Sequence, residues 1–531
     1  MVSHRDLITE IEDSPDGPEI AAFFDFDGTL IAGFSVTKFM QERITSGRIN
    51  PRETFEQFVA AINFGIGRTG FSALMASTAQ FMQGLTEESF REFGEEVYTK
   101  HLAGAVYPEA RAIVEAHQKK GHTVAIVSSA TRYQVEPAAR ELGIEDILCT
   151  ELVVEDGLFT GEVVRPTCWG DGKRTAAEDY SAPRNIDIDE SYFYTDSHDD
   201  LPLLEVIGYP RILNPSNKLA AVATRNGWPI ARFNSRGTPG WTDIVRTIAA
   251  NSAMVPSAAA ALPILALTGS WREAQNFATG LWADYTTAIG GLDLDVKNER
   301  HLWSHRPAVF IFNHQSNADA IIMAKLLRRD FAGVGKKEIA DNPVMGAIFK
   351  AAGTILIDRA DRDKAIEAMR PLIDAMRVEG KSVVIAPEGT RSASTKLGPF
   401  KKGAFHMAIQ AEVPIVPIVI HNAHDFLPKG HTILHPTTVN VTVLPPIDTS
   451  DWSIKNLNKH VAEVRQLYLE ALGQSEKKDQ PAKTRKTAAK STNGKAKTKP
   501  RPRKRTKPAA TKQTTEPAAT TATDEAAGRV D

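Results

Sequence analysis

Two carboxylates, Asp25 and Asp27, close the apolar run Ala21–Phe24 and are followed by Gly28-Thr29. Two carboxylates so close at a strand end repel each other unless a cation sits between them. Hard oxygen ligands with room for a phosphate suit Mg²⁺. Downstream, one apolar run ends at Ser128 and another in Asp196-Ser197-His198-Asp199-Asp200, and Lys173 stands in Gly170-Asp171-Gly172-Lys173. The set offers carboxylates for a metal, a hydroxyl for a phosphoryl oxygen and a cation for its charge. A second set begins at Asn313-His314-Gln315-Ser316-Asn317-Ala318-Asp319, after the run VFIF. Residues five apart on a regular helix lie roughly 140° apart. His314 and Asp319 therefore meet only if His314 lies in the turn before a helix and Asp319 in its first turn. Ser316 and Asn317 are good caps for such a start. A histidine held by a carboxylate is a positioned general base. With no nucleophile beside it in sequence, His314 could deprotonate a substrate hydroxyl directly.

These residues need rigid supports. FFDFD, TVAIVSS and SYFYTD are continuous apolar runs ending in small polar or acidic residues, as strands of a parallel sheet covered on both faces read. Sites in such sheets lie at the carboxyl ends of the strands. The stretch Val36 to Leu102 has no strong strand and reads as a helical insertion over the site. VVEDGLFTGEV places Asp156-Gly157 between two apolar runs, a β-hairpin signal. Strand–helix alternation returns over 298–473 with AVFIFNH, a helix from about Ala318, TILID, SVVIAPEG and IVPIVI. Between the halves, residues 247–271 carry no charge and are broken by Pro256 and Pro263. This is the stretch long enough to consider for a bilayer. It reads either as a linker with a short buried helix or as a membrane-inserted helix or re-entrant hairpin.

The 531 residues leave room for two to four domains. The two cysteines, Cys149 and Cys168, form neither a disulfide framework nor a thiolate metal site, in keeping with a reducing compartment. The polar, acidic first residues lack the apolar core of a signal peptide, so no export is expected. From Gln474 onward, 16 Lys and Arg stand against 6 Asp and Glu, a net +10 that leaves −12 on residues 1–473 of a chain with net charge −2. That tail of Lys, Ala, Thr and Pro without aromatics cannot bury a core and is expected to be disordered.

The order Asp25-Phe26-Asp27-Gly28-Thr29, Ser128, Lys173 and Asp196 to Asp200 resembles the haloacid dehalogenase superfamily, in the subgroup that includes phosphoserine phosphatase, over roughly residues 20–215. The resemblance implies a Rossmann-like parallel-sheet domain (20–250) with a helical cap at about 36–104. It implies Asp25 as a nucleophile forming an aspartyl-phosphate and Asp27 as the acid that protonates the leaving oxygen and later activates water. It implies Asp25, the carbonyl of Asp27, and Asp196 as Mg²⁺ ligands, with Asp200 supporting them. Ser128 and Lys173 would hold the phosphoryl oxygens. Phosphoserine phosphatases of this kind carry an acid nine residues after the nucleophile to hold the substrate amine. Here that position is Phe34, whose ring cannot pair with an ammonium as a carboxylate does. The sequence therefore points to another phosphomonoester.

The motif His314-x-x-x-x-Asp319 resembles the 1-acylglycerol-3-phosphate acyltransferase family. Gly353 to Arg359, Pro387-Glu388-Gly389-Thr390-Arg391-Ser392, Phe400 to Gly403 and Val413 to Pro417 look like its further blocks, over about 298–450. The resemblance implies a second α/β domain (298–473) that moves an acyl group from acyl-CoA or acyl carrier protein to a glycerol hydroxyl of lysophosphatidic acid. His314 would be the base and Asp319 its orienter. Arg359, Glu388, Gly389, Thr390 and Arg391 would shape the acceptor's phosphate pocket, because a guanidinium can bond two phosphate oxygens at once. Glu388 is expected to hold Arg391 or a glycerol hydroxyl.

The sequence thus reads as a bifunctional enzyme of glycerophospholipid synthesis at the cytoplasmic face of a membrane. Residues 251–297 are expected to be a linker or membrane contact, and the tail 474–531 to be drawn to anionic headgroups. Without stacking aromatics nothing favours specific nucleic-acid binding. Two alternatives stay open. In one, the chain acylates another lysophospholipid while its N-terminal half senses a phospho-ligand without turnover. In the other, it is an anchored scaffold whose tail binds nucleic acid.

Overall fold

The computed structural model describes residues 1–47, 70–233, 235–237, 239–336, 341, 353–357, 369–391, 395–428 and 431–474. Six strands make the first sheet: β1 Ala21–Phe24, β2 Thr123–Thr131, β3 Asp146–Thr150, β6 Tyr192–Thr195, β7 Tyr209–Leu213 and β8 Ile230–Ala231. Their order is β3-β2-β1-β6-β7-β8, all parallel. Alternate residues of β1 enter opposite cores. Ala22 and Phe24 pack with Ile126 and Tyr194 on one face. Ala21 and Phe23 pack with Val127 and Phe193 on the other. Burial on both faces explains why these strands read as unbroken apolar runs, and it puts Asp25, Ser128 and Asp196 at one end of the sheet.

The expected helical insertion is present as Ser35–Thr45, Phe71–Gln80 and Glu87–Val97, followed by a wide, π-helical turn at Tyr98–Leu102; residues 48–69 lie outside the described residues. The hairpin is formed by β4 Leu152–Glu155 and β5 Leu158–Val163, antiparallel. Asp156 (φ 49°) and Gly157 (φ 78°) both take positive φ, as a two-residue turn matched to strand twist requires.

The second sheet has the order β12-β11-β13-β10-β14-β15-β9. Its strands are β9 Leu292–Lys297, β10 Val309–Phe312, β11 Phe331–Lys336, β12 Ile355–Ile357, β13 Ser382–Ile385, β14 Ile415–Ile420 and β15 Thr437–Val443. Only the β14–β15 pair is antiparallel. β9 corrects an expected boundary, because it falls within the supposed linker 251–297 yet pairs with β15 along six residues. It leads the acyltransferase-like sheet from its edge. Its outward Asp293, Asp295 and Lys297 alternate with Leu292, Leu294 and Val296, which pack on the core.

The helices Trp241–Ser252, Met254–Ala260 and Leu262–Thr268 form a nearly continuous run against the helix Trp271–Gly290. Trp241–Thr268 is long and apolar enough to cross a membrane by length and composition. One side of it leaves Trp241, Ile248, Val255, Leu262 and Leu267 exposed.

Both sheets belong to one compact unit, and a buried polar seam joins them. Arg111, on the helix Pro108–Lys119 of the first domain, donates to His424 Nε2 at 2.8 Å and to Asp425 Oδ1 at 3.3 Å in the second. Burial pushes His424 down to about 4; Asp425 opposes this, and Arg111 and Arg236 reinforce it. Between about pH 4 and 6.5 the folded chain binds fewer protons at His424 than the unfolded chain does. Its stabilising effect is complete above about pH 6.5 and is lost as pH falls toward 4, on the order of 3 kcal/mol at the acid end. The melting temperature is expected to fall between pH 7 and 5 by more in the wild type than in His424→Gln. Equal falls in a thermal scan would remove this histidine from the acid sensitivity.

Two candidate active sites

In the first site the chain turns sharply after β1. Gly28 has φ +76°, and a Cβ there would lie 2.3 Å from Asp196 Oδ2. Only glycine lets the Asp196 carboxylate come this close, and Thr29 Oγ1 reaches its Oδ1 at 3.5 Å. Lys173, on the helix Asp171–Ser181, is buried and bridges Asp25 Oδ2 at 2.9 Å and Asp200 Oδ2 at 2.8 Å. Thr195 Oγ1 donates to the same Asp200 oxygen at 2.5 Å. Ser128 is buried where the β2–β3 register shifts, and its Oγ accepts from Ala130 N at 3.2 Å. Ion pairs thus join Asp25, Lys173 and Asp200, with Asp196 against Gly28 and Ser128 on the strand beside β1.

Asp27 faces a network of its own. Ser35 N donates to its Oδ1 at 2.7 Å and Ser35 Oγ to its Oδ2 at 3.0 Å. Gln134 Nε2 donates to Ser35 Oγ at 3.1 Å, and Gln134 Oε1 accepts from Thr131 N and Oγ1 at 2.9 Å. Sequence reading missed Ser35 and Gln134. The three-residue spacing Thr131–Gln134 is a capping-box signal, but its reach to Ser35, 99 residues away, has no local trace. Burial pushes Asp27 up to about 6 against the two Ser35 bonds, and Asp196 up to about 7 against Lys173. Asp25 is raised by burial and, less, by Asp200 and Asp196, with Lys173 opposing. Burial lowers Lys173, but Asp200 and Asp25 outweigh it and keep the ammonium charged. Among the described residues, no three His, Cys, Asp or Glu side chains form a metal cage. Lys173 engages both Asp200 and Asp25, and Phe26 N donates to Asp25 Oδ1 at 2.7 Å, so a cation here would share Asp25 with those donors and take Asp196 beside it.

The second site lies beyond β10. His314 occupies the turn before the helix Asp319–Leu327 and Asp319 opens that helix, the arrangement their spacing demands. Asp319 Oδ2 receives three donors: His314 Nδ1 at 2.7 Å, Gln315 N at 2.9 Å and Ser316 N at 3.0 Å. Burial raises Asp319, with the His314 bond opposing first. The Nδ1 bond leaves His314 Nε2 for a substrate. Glu388 departs from expectation. Its Oε1 accepts from His314 N at 2.7 Å and its Oε2 from Gly398 N at 2.8 Å, so both oxygens hold backbone around the base. Burial raises its pKa against these bonds. Arg391 donates to Asn317 Oδ1 beside His314. Gly389 has φ +72°, and a Cβ on it would meet Lys401 Nζ at 2.8 Å, so its bareness admits that ammonium. Thr390 lies between these two; Arg359 lies outside the described residues, as does the tail from 475.

A cavity of about 530 Å³ opens at His314 and Asp319. Its far wall is made by Met254, Leu262, Leu265, Trp271, Ala278 and Trp282. The segment expected to be linker or membrane contact therefore also completes this site. An Ala-rich uncharged run looks the same in sequence whether it lines a cavity, a core or a bilayer.

Residues 22–205 match the haloacid dehalogenase-like hydrolase family model and residues 293–421 the acyltransferase family model. A 1-acyl-sn-glycerol-3-phosphate acyltransferase of Limnanthes alba is 33% identical over 187 residues, 35% of this chain and 66% of that protein. The enzyme of the same description from Salmonella typhimurium is 32% identical over 187 residues, 35% of this chain and 76% of that protein. A protein of Mycobacterium tuberculosis described as a probable phosphatase is 31% identical over 218 residues, 40% of this chain and 75% of that protein. The chain belongs to both families, its N-terminal half to the haloacid dehalogenase-like hydrolases and its C-terminal half to the acyltransferases. It is a two-domain enzyme.

Proposed function

We propose that the C-terminal domain transfers an acyl group from acyl-CoA or acyl carrier protein to 1-acylglycerol-3-phosphate, giving phosphatidic acid, and that the N-terminal domain hydrolyses a phosphomonoester. The observation that carries the first reading is the His314–Asp319 pair at the mouth of an apolar cavity. The cavity suits an acyl chain, and Lys401 and Arg391, which sit against its lining residues Gly389 and Asn317, suit a phosphate. His314 Nε2 takes the proton of the glycerol hydroxyl as its oxygen attacks the thioester carbonyl. The C–S bond breaks, and the departing thiolate takes that proton from the imidazolium. Asp319 keeps the Nδ1 proton in place and balances the charge.

In the N-terminal domain Asp25 attacks phosphorus, Asp27 protonates the leaving oxygen, and Asp27 then takes a proton from the water that opens the aspartyl-phosphate. Ser128 and Lys173 hold the phosphoryl oxygens. Mg²⁺ fits the donor set: burial disfavours the charges of both Asp25 and Asp196, the Asp27 carbonyl adds a neutral oxygen, and this ion keeps waters and takes few carboxylates. When bound it neutralises phosphoryl charge. Phe34, 60% exposed and next to Ser35, favours a substrate without a cationic amine.

The exposed apolar side of Trp241–Thr268 supports binding to a membrane surface, at the cytoplasmic face, with the basic tail adding attraction to anionic lipid. Purified protein with Mg²⁺, oleoyl-CoA and anionic vesicles carrying lysophosphatidic acid is expected to yield phosphatidic acid by mass spectrometry and to float with the vesicles. A small phosphomonoester added alongside should release phosphate. No acylated product would remove the acyltransfer reading, no released phosphate the hydrolase reading, and protein left at the bottom of the gradient the membrane reading.

A further inference from the structure

The turn Asn422–Leu427 lies between the two domains and touches both. On its acyltransferase side, Ala423 N donates to Gln315 Oε1 at 3.0 Å, and Gln315 Nε2 donates to His421 O at 3.3 Å. Ser316 Oγ donates to Leu427 O at 2.6 Å. Gln315 and Ser316 are the residues whose N–H groups share Asp319 Oδ2 with His314. The position of the base is therefore set partly by where this turn sits.

On its other side the turn is held by guanidinium groups from the hydrolase-family domain. Arg236 donates to Asp425 O at 3.3 Å, His424 O at 3.2 Å and Asp425 Oδ1 at 3.5 Å. Arg111 donates to His424 Nε2 and Asp425 Oδ1. Neither arginine is free to drift. Arg236 follows Phe233, whose ring packs on Tyr107 in the first domain's core, and Ser235, which donates to Glu109. Arg111 is tied to Glu141, which also accepts from Tyr98 at 2.8 Å. The helix bearing Arg111 begins beside the nucleophile loop, where Tyr107 N donates to Leu30 O at 3.0 Å and Ala32 N to Ala105 O at 2.8 Å.

A buried guanidinium, Arg236, and a partly buried one, Arg111, on one six-residue turn are a costly way merely to pack two domains, since each loses hydration on burial. Their bonds to two main-chain carbonyls and one carboxylate fix the turn in position and orientation. We infer that Arg111 and Arg236 are positioning residues for acyl transfer: the hydrolase-family domain clamps the Asn422–Leu427 turn, and through Gln315 and Ser316 the clamp sets His314. The inference rests on the acyltransfer reading above.

The test is a double-mutant cycle on the full chain, Arg236→Met against Gln315→Ala, read as acyl-transfer kcat and KM with phosphate release and melting temperature beside them. Methionine keeps the apolar stem and removes the bonds. Each single variant is expected to lower acyl-transfer kcat by about 10–100-fold, as small misplacements of a base do, with KM within about twofold and phosphate release unchanged. The double variant should be no slower than the slower single, because both changes release the same turn. Losses that multiply would mean independent effects and would overturn the clamp, as would an Arg236→Met enzyme with wild-type kcat. If Arg236→Met loses phosphate release and melts early, the cycle is run on Asp425→Asn and judged by the same outcomes. A wild type with no acyl transfer in the parallel assay would sink the underlying reading instead, and the clamp with it.

Discussion

Replacing His314 by alanine is expected to lower acyl-transfer kcat by about 10²–10⁴-fold and to leave phosphate release untouched. Among the described residues, no other basic side chain lines the cavity with it, and an unassisted hydroxyl is a poor nucleophile toward a thioester. Asp319→Asn should cost nearly as much, for a reason visible in the hydrogen bonds. Asp319 Oδ2 accepts from Gln315 N, Ser316 N and His314 Nδ1 together. An asparagine that keeps its oxygen on the three donors loses the charge that balances the imidazolium, and puts its amide nitrogen where Asp319 Oδ1 is buried without a hydrogen-bond partner. If its amide nitrogen faces the ring, the imidazole proton must move to Nε2, the atom that should receive the substrate's proton. A loss of about 10⁴-fold has that origin in the Ser-His-Asp template. Kinetics of the two variants on vesicle-borne lysophosphatidic acid decide the matter. If either keeps full kcat, another base performs the step.

How far the sequence revealed this site follows from the range of the interactions. His314 and Asp319 are five residues apart, so spacing placed them correctly with respect to the helix, although its N-cap is Ala318 and neither Ser316 nor Asn317 supplies the expected side-chain cap. The paired carboxylates, Ser128 and Asp196 to Asp200 were legible because each ends an apolar run, and a parallel sheet brings such ends together; Lys173 ends no such run and comes in from the helix Asp171–Ser181. The Asp156-Gly157 hairpin was legible because its turn chemistry is local. What escaped lies far apart in the chain. Glu388 holds His314 N across 74 residues and Gln315 meets Ala423 across 108. Nothing in the glutamate's neighbourhood distinguishes a clamp on backbone from a ligand for substrate. β9 did carry a period-two pattern in Leu292-Asp293-Leu294-Asp295-Val296-Lys297. The uncharged run before it drew the boundary past it.

Asp25→Asn should abolish phosphate release while leaving acyl transfer within about twofold of wild type, and Asp27→Asn should separate the two halves of hydrolysis. An amide at position 25 cannot supply the oxygen that bonds to phosphorus. The substitution is nearly isosteric and leaves Lys173 bound to Asp200 at 2.8 Å, so the fold should survive the lost charge. The carboxyl of Asp27, pushed up to about 6 by burial and held by Ser35, is placed to give a proton and then to take one. An asparagine there can do neither. A substrate with a good leaving group needs little protonation, so Asp27→Asn should still phosphorylate Asp25 and then stall before water attacks. With a radiolabelled aryl phosphate, label should stay on Asp27→Asn after denaturation and be absent from Asp25→Asn. Label absent from both, with release lost in both, would mean that no aspartyl-phosphate forms. Sustained release by Asp25→Asn would mean that water attacks phosphorus directly, with Asp25 serving only to hold charge.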